Sequence, residues 1–265
     1  MTTAPTRPVS VEELKRAYRA VQAGAFRTGR PRTAEVPTWT PSGPVLTVVP
    51  AAAGVGATTL ALALATAAGE SRVVECASAT ASGLAAAPTA ELGRDASGWL
   101  RGTRGPVSIE RAAEVLASAG EVPLPLPAPA AGLTVVDLAW EVAAVLWGDG
   151  WLTDLLTTGR PLVVAATASV PGLRRLEVAL ELLGRRLAPH ARTVVALAGP
   201  ARRALPRPVA AALDALDRTR DLTGRVVTVP VHPPLRTRGI DSTPLPAPLL
   251  RAAGDLLDLT TTARS

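Results

Sequence analysis

From residue 45 onward, short apolar runs alternate with stretches of helical character. The runs Val45–Val49, Arg72–Cys76, Leu133–Asp137, Pro161–Ala166, Thr193–Ala198 and Val226–Val229 predict strands, being brief and rich in Val and Leu. Between them, Thr58–Ala68, Ile109–Ala117, Trp151–Thr157, Gly172–Leu187, Val209–Arg218 and Ala247–Leu257 predict helices. Pro171 and Pro208 stand where a helix begins, the position at which a missing N–H costs nothing. Strands apolar on both faces and separated by helices imply a doubly wound, mostly parallel α/β sheet covered on both sides. The Pro-rich passage Val122–Ala131 predicts an extended surface segment. Ahead of the domain, Ser10 and Glu13 form a capping box for a helix ending near Gln22, with Gly24 as its stop. Residues 25–44 lack periodicity and predict a linker. The expected organisation is an N-terminal helix and linker over 1–44 and one α/β domain over 45–265.

Composition narrows the chemistry. Of 265 residues, 48% are apolar and 19% charged, enough to bury a core. Five Trp, one Tyr and one Phe are too few for a platform that stacks nucleic-acid bases. A single cysteine, Cys76, excludes an internal disulfide and a Cys-based zinc site, and the isolated His190 and His232 argue against a histidine metal centre. No charge occurs between Glu35 and Glu70, yet Pro37, Pro41, Pro44, Pro50, Gly54 and Gly56 interrupt that stretch. Its apolar helix falls well short of the roughly 20 residues needed to cross a bilayer. The N-terminus lacks the apolar core of a signal peptide, so no membrane span and a cytoplasmic location are expected. The net charge of +6 comes almost wholly from arginine: Lys15 is the only lysine. Any reaction requiring a lysine beyond residue 15 is therefore excluded.

The informative stretch is Val45–Gly69, which runs apolar strand, small-residue loop, Thr58-Thr59, apolar helix. Small residues let backbone N–H groups converge on a phosphate, and the helix adds the positive end of its dipole. Thr58 stands where such loops place the hydroxyl that ligates magnesium.

Here the chain resembles the ParA/MinD-like family of P-loop ATPases, whose deviant Walker A motif reads KGGVGKTT. Residues 52–59 read AAGVGATT, so Gly54, Val55, Gly56, Thr58 and Thr59 match. The family's signature lysine, which crosses to a partner subunit's nucleotide, is replaced by Ala52. Its phosphate-clamping lysine is replaced by Ala57. Where the family's second strand ends in Asp-x-Asp, this chain has Glu75 and Ala77, so the water-orienting carboxylate is missing. Asp137 falls at the Walker B carboxylate, Leu138-Ala139-Trp140 replaces the usual Pro-Gly turn, and Ala198-Gly199 stands where an Asn often reads adenine. Val229-Pro230 resembles the family's late strand ending in Pro, and Arg174-Arg175 its helical Arg-Arg pair.

The resemblance implies a P-loop NTPase-like fold and a vestigial nucleotide site at Gly54, Val55, Gly56, Ala57, Thr58, Thr59 and Asp137. Thr58 and Asp137 would hold magnesium only if nucleotide binds. Phosphoryl transfer depends on neutralising charge that develops on the phosphates. Clamp, trans-acting lysine and water-orienting acid are all lost, and arginine does not replace the point charge of lysine. The expectation is a regulatory or scaffold component of a partition, conjugation or positioning process, without efficient ATP hydrolysis and with no required cofactor. Its expected partner is a protein. The alternatives are a weak ATP- and magnesium-binding switch, or a DNA-binding accessory protein.

Arginines recur after strand ends: Arg174, Arg175, Arg202, Arg203, Arg236 and Arg238. They read as an anion- or DNA-facing set, or as solvated surface in an arginine-biased chain. Trp140 and Trp147 are seven apart and would share a helix face with Trp151 close by, either as core or as a docking spot.

Overall fold

The structure is a computed structural model, and it describes residues 38–127, 132–187, 192–222 and 224–261 (backbone alone at 218–220). The predicted helix at Ser10 lies outside the described residues. Among the described residues, nine strands form one sheet: β1 (Val45–Pro50), β2 (Ser71–Glu75), β3 (Ala90–Arg94), β4 (Trp99–Arg104), β5 (Val107–Ala112), β6 (Leu133–Asp137), β7 (Leu162–Thr167), β8 (Thr193–Ala198) and β9 (Val226–Val229). Their spatial order is β3-β4-β5-β2-β6-β1-β7-β8-β9. From β5 to β9 every neighbouring pair is parallel; β3–β4 and β4–β5 are antiparallel.

Among the described residues, seven helices accompany the sheet: α1 (Ala57–Ala68), α2 (Val142–Leu146), α3 (Trp151–Thr157), α4 (Val170–Gly184), α5 (Arg207–Arg220), α6 (Pro233–Arg238) and α7 (Ala247–Thr261). Alternation along the strands feeds two cores. Leu46 and Val48 of β1 pack with α1 and α7; Val45 and Val49 point the other way, into the core that α2, α3, α4 and α5 cover. Helix α1 is apolar all round, and Leu60 through Ala65 are buried without exception.

The predicted helix over Ile109–Ala117 is not there: Val107–Ala112 is β5, and it closes a hairpin with β4 around Gly105-Pro106. Buried ion pairs join the buried Trp99, Val107 and Ile109 in holding this edge. Buried Arg72 on β2 lies 3.2 Å from buried Glu110 on β5, Arg101 on β4 approaches the same carboxylate, and Arg111 forks onto both oxygens of Glu91 on β3 at 2.7 Å. Arg104 donates to the carbonyls of Ala87, Asp241 and Thr243.

Residues 122–127 of the Pro-rich stretch are extended, yet they are not merely surface. Val122 and Pro125 are buried, and alternate carbonyls take buried donors. Trp151 Nε1 donates to Val122 O at 3.0 Å, Trp99 Nε1 to Leu124 O at 3.0 Å, and Arg72 to Leu126 O at 2.8 Å. Prolines lack an N–H and cannot continue a ladder, so the segment meets the sheet through its carbonyls and not as a further strand.

Candidate functional site

β1 lies in the middle of the sheet between β6 and β7, so its C-terminal end opens onto the crevice where α/β folds bind ligands. The chain leaves β1 at Pro50, and Ala51 N–H donates to Ala165 O at 2.9 Å, holding the loop over β7. Gly54 and Gly56 adopt φ of +73° and +87°, a region costly to residues with a Cβ. A Cβ at either would meet no heavy atom within 4 Å, so both face open space. Gly56 caps α1 without any side-chain acceptor, and the first turn of α1 holds no acid. The N–H groups of that turn are thus left for a ligand or water.

Gly54, Val55, Gly56, Ala57, Thr58 and Thr59 all line one cleft of ≈ 890 Å³. Its other walls are largely alanine: Ala77 after β2, Ala139 after β6, Ala165 and Ala168 at β7, Ala196 and Ala198 on β8. Ala52 and Ala57 line it too. Among the lining residues, the charged or titratable side chains are His232 and Arg236, both on the wall formed by β9 and α6.

Asp137 ends β6 beside Thr58. It is fully buried, and neither carboxylate oxygen has a hydrogen-bond partner among the described residues. Burial pushes its carboxyl up to about 7, and neighbouring Glu75 adds to the rise. The Thr58 hydroxyl and the Ala139 N–H lie close enough to pull it down, without giving either oxygen a well-formed bond. Ala139, two residues on, is held at φ +56°, in the left-handed region.

Glu75 does different work. Its carboxylate accepts from Ser82 Oγ at 2.5 Å, Gly83 N at 2.6 Å and Leu84 N at 3.2 Å. It anchors the turn that closes on Thr58, where a Cβ on Gly83 would come within 3.0 Å of Thr58 Cγ2. Burial raises the Glu75 carboxyl, and these three bonds and Arg111 oppose the rise. Cys76 is buried, its thiol pushed well up by burial and by Asp137 and Glu75.

The six arginines do not converge. Arg236 lines the cleft; Arg174 and Arg175 are exposed on α4, and Arg203 is exposed. Arg202 is bound to Asp214 at 2.9 Å and Asp217 at 3.4 Å, so it belongs to a surface network. Arg238 lies near Asp241. The tryptophans do not share a helix face either. Trp140 precedes α2 and donates to Cys76 O at 2.7 Å, while Trp147 projects into solvent. Sequence reasoning missed α6, which brings Arg236 to the cleft. The Pro233-Pro234 pair at its start is the signal that could have found it.

The MinC:MinD cell division protein complex of Aquifex aeolicus contains a chain that superposes with TM-score 0.53 at 13% identity, over 81% of this chain and 96% of that one. Apo McdA from Cyanothece gives 0.51 at 13%, over 82% and 98%. A McdA–ATP complex from Cyanothece gives 0.50 at 13%, over 83% and 97%. The chain has the MinD/ParA P-loop NTPase fold. Identities this low show the architecture alone. No protein-family profile matches the chain, and comparison with curated proteins finds no sequence match. Among the described residues, no group of three His, Cys, Asp or Glu gathers to hold a metal, and no helix is long and apolar enough to cross a membrane.

Proposed function

We propose that this protein is a catalytically degenerate relative of the MinD/ParA ATPases, acting as a regulatory or scaffold component of a partition, conjugation or positioning process. One observation carries the reading: the loop end of the cleft keeps its glycine-shaped backbone and presents no cationic side chain. Ala52 and Ala57 occupy the two lysine positions, and Ala77 occupies that of the water-orienting acid. Removing one partner of a buried charge pair costs roughly 2–5 kcal/mol, and here several groups are missing together. Without the trans-acting lysine, any self-association is independent of nucleotide. A protein partner accords with the MinC:MinD complex, in which the similar chain is itself assembled with another protein. The DNA-binding alternative gains nothing from Arg202, whose charge is already matched by two acids.

A second reading, a nucleotide-binding switch, is favoured by Asp137. An orphaned buried carboxylate beside a threonine hydroxyl is a hard-oxygen donor set that fits magnesium. Thr58 and Asp137 would hold the ion, which when bound neutralises phosphate charge. The N–H groups of Gly54–Thr58 would receive the phosphates. The ATP complex of McdA has this fold, but the two lysines of the family's motif are replaced here by Ala52 and Ala57.

The test is phosphate release from ATP and magnesium by the purified protein, alongside calorimetric titration of a non-hydrolysable analogue. Phosphate release at the level of buffer is expected. Turnover abolished by Thr58→Ala would overturn the degenerate reading. Magnesium-dependent binding lost in both Thr58→Ala and Asp137→Ala, without turnover, establishes the switch instead.

A further inference from the structure

Charge is segregated along this chain in a way its net charge of +6 conceals. Between Arg111 and Arg160 there is no Lys, Arg or His, while Glu114, Glu121, Asp137, Glu141, Asp149 and Asp154 all fall inside. Asp137 is the buried one, at the cleft; the other five are exposed or half-buried. The fold gathers much of this stretch into one cap: α2 packs on α3, and both pack on the short turn Ala119–Glu121. Arginine supplies nearly all the positive charge elsewhere, so a cap devoid of it is a local inversion of the protein's field.

At the centre of the cap stands Trp147. The other four tryptophans are buried or half-buried; this one is 64% exposed, and no hydrogen bond holds its indole among the described residues. Its pedestal is rigid. Thr153 Oγ donates to Val145 O at 2.7 Å and approaches Gly148 O at 3.1 Å, bracing the turn Trp147–Gly150 from α3. A Cβ on Gly120 would lie 2.6 Å from Asp149 O, and one on Gly148 would lie 2.8 Å from Ala144 O, so backbone sits directly on backbone. Asp149 and Glu121 flank this contact, and Glu141 caps the far end of α2, about 9 Å along its axis from Trp147. An exposed indole with Asp149 two residues on and Glu121 beside the Gly120–Asp149 contact suits one kind of group: a planar cation that stacks on the ring while nearby acids take its N–H donors.

We infer that the Trp147 cap is a docking surface for an arginine-bearing basic segment of a partner protein. Glu114 is paired with Arg94 at 2.6 Å, and the remaining four acids, Glu121, Glu141, Asp149 and Asp154, repel nucleic acids and anionic membranes. The inference goes beyond the degenerate-ATPase reading and does not depend on the cleft, which neither Trp147 nor the acids near it line.

The test titrates the full chain with fluorescein-labelled hexa-arginine at low salt and follows anisotropy. Trp147→Ala is expected to weaken binding by about tenfold, as is the single reversal Asp149→Arg. Asp255→Arg, an equal reversal on the opposite sheet face, should change affinity less than about twofold. Hexa-lysine should bind more weakly than hexa-arginine. Absence of binding, indifference to Trp147→Ala, or an equal loss with Asp255→Arg would each overturn the inference. So would concentration-dependent self-association abolished by Trp147→Ala, which makes a second copy the occupant. Phosphate-release assays on the same variants separate this outcome from failure of the cleft reading.

Discussion

Two buried carboxylates flank β2, one on each side, and the chain treats them oppositely. Glu110 on β5 is 2% exposed and is met by Arg72 and Arg101; Asp137 on β6 is fully buried and is met by no cation. Burial raises both carboxyls, but arginine opposes the rise only at Glu110. A protein with 27 arginines to place has put several at the β3–β4–β5 edge and none beside Asp137. The difference teaches that arginine here is an architectural group. It also shows that the orphan at the cleft is not explained by a shortage of cations. Groups that cost stability without a structural return tend to sit at sites of function.

The largest expected effect comes from breaking the satisfied pair. Arg72→Ala strands Glu110, frees Leu126 O and removes the guanidinium stacked 5.9 Å from the Trp39 ring. It should lower unfolding free energy by about 3–5 kcal/mol in urea titrations. A loss below about 1 kcal/mol would erase the contrast.

Asp137→Asn tests the other half and should act in the opposite direction, stabilising by about 1–3 kcal/mol at pH 8. An acid whose folded-state pKa is raised holds its proton more tightly when folded. Its stabilising contribution is complete below the ordinary carboxyl value of about 4 and is lost as pH climbs through about 7. Melts between pH 4 and 8 should therefore show a decline that the asparagine variant lacks. Destabilisation by this variant at pH 8 would mean that the carboxylate has a partner after all.

Exposure supplies the next contrast. Arg202 also faces two acids, but at the surface, so Arg202→Ala should cost no more than about 0.5–1 kcal/mol and nothing in 1 M salt. The smallest effect is expected at Ala139. Glycine there relieves left-handed strain of roughly 1–2 kcal/mol, mostly offset by its freedom in the unfolded chain. A net gain of about 0.5 kcal/mol in calorimetry would place a second cost at the cleft end of β6.

Legibility followed the type of force. Six of the seven strands in parallel pairs are visible because each is a short apolar run, and β8 and β9 begin and end where the sequence predicts. Helix α1 and its loop are equally plain, since glycine spacing and an unbroken apolar helix leave little choice. The β3–β4–β5 edge was illegible because β3 is wholly exposed and β4 carries two arginines. Its order rests on ion pairs between residues up to 38 apart, which no local window displays. Gly105-Pro106 was the available clue to the hairpin. At the cleft, sequence names the residues Gly54 to Thr59 and Asp137. It does not reveal that Glu75 anchors a turn, that Arg236 arrives from α6, or that Trp147 stands clear of the protein.

The proline-spaced carbonyls of Val122, Leu124 and Leu126 receive donors from α3, β4 and β2, three elements far apart in sequence. Such a latch can fasten only after those elements have already met. It should therefore open early and as one piece, with the indole protons of Trp99 and Trp151 exchanging into deuterated solvent at a common rate. Residues that make no sheet and no helix would then set the pace at which this side of the molecule breathes.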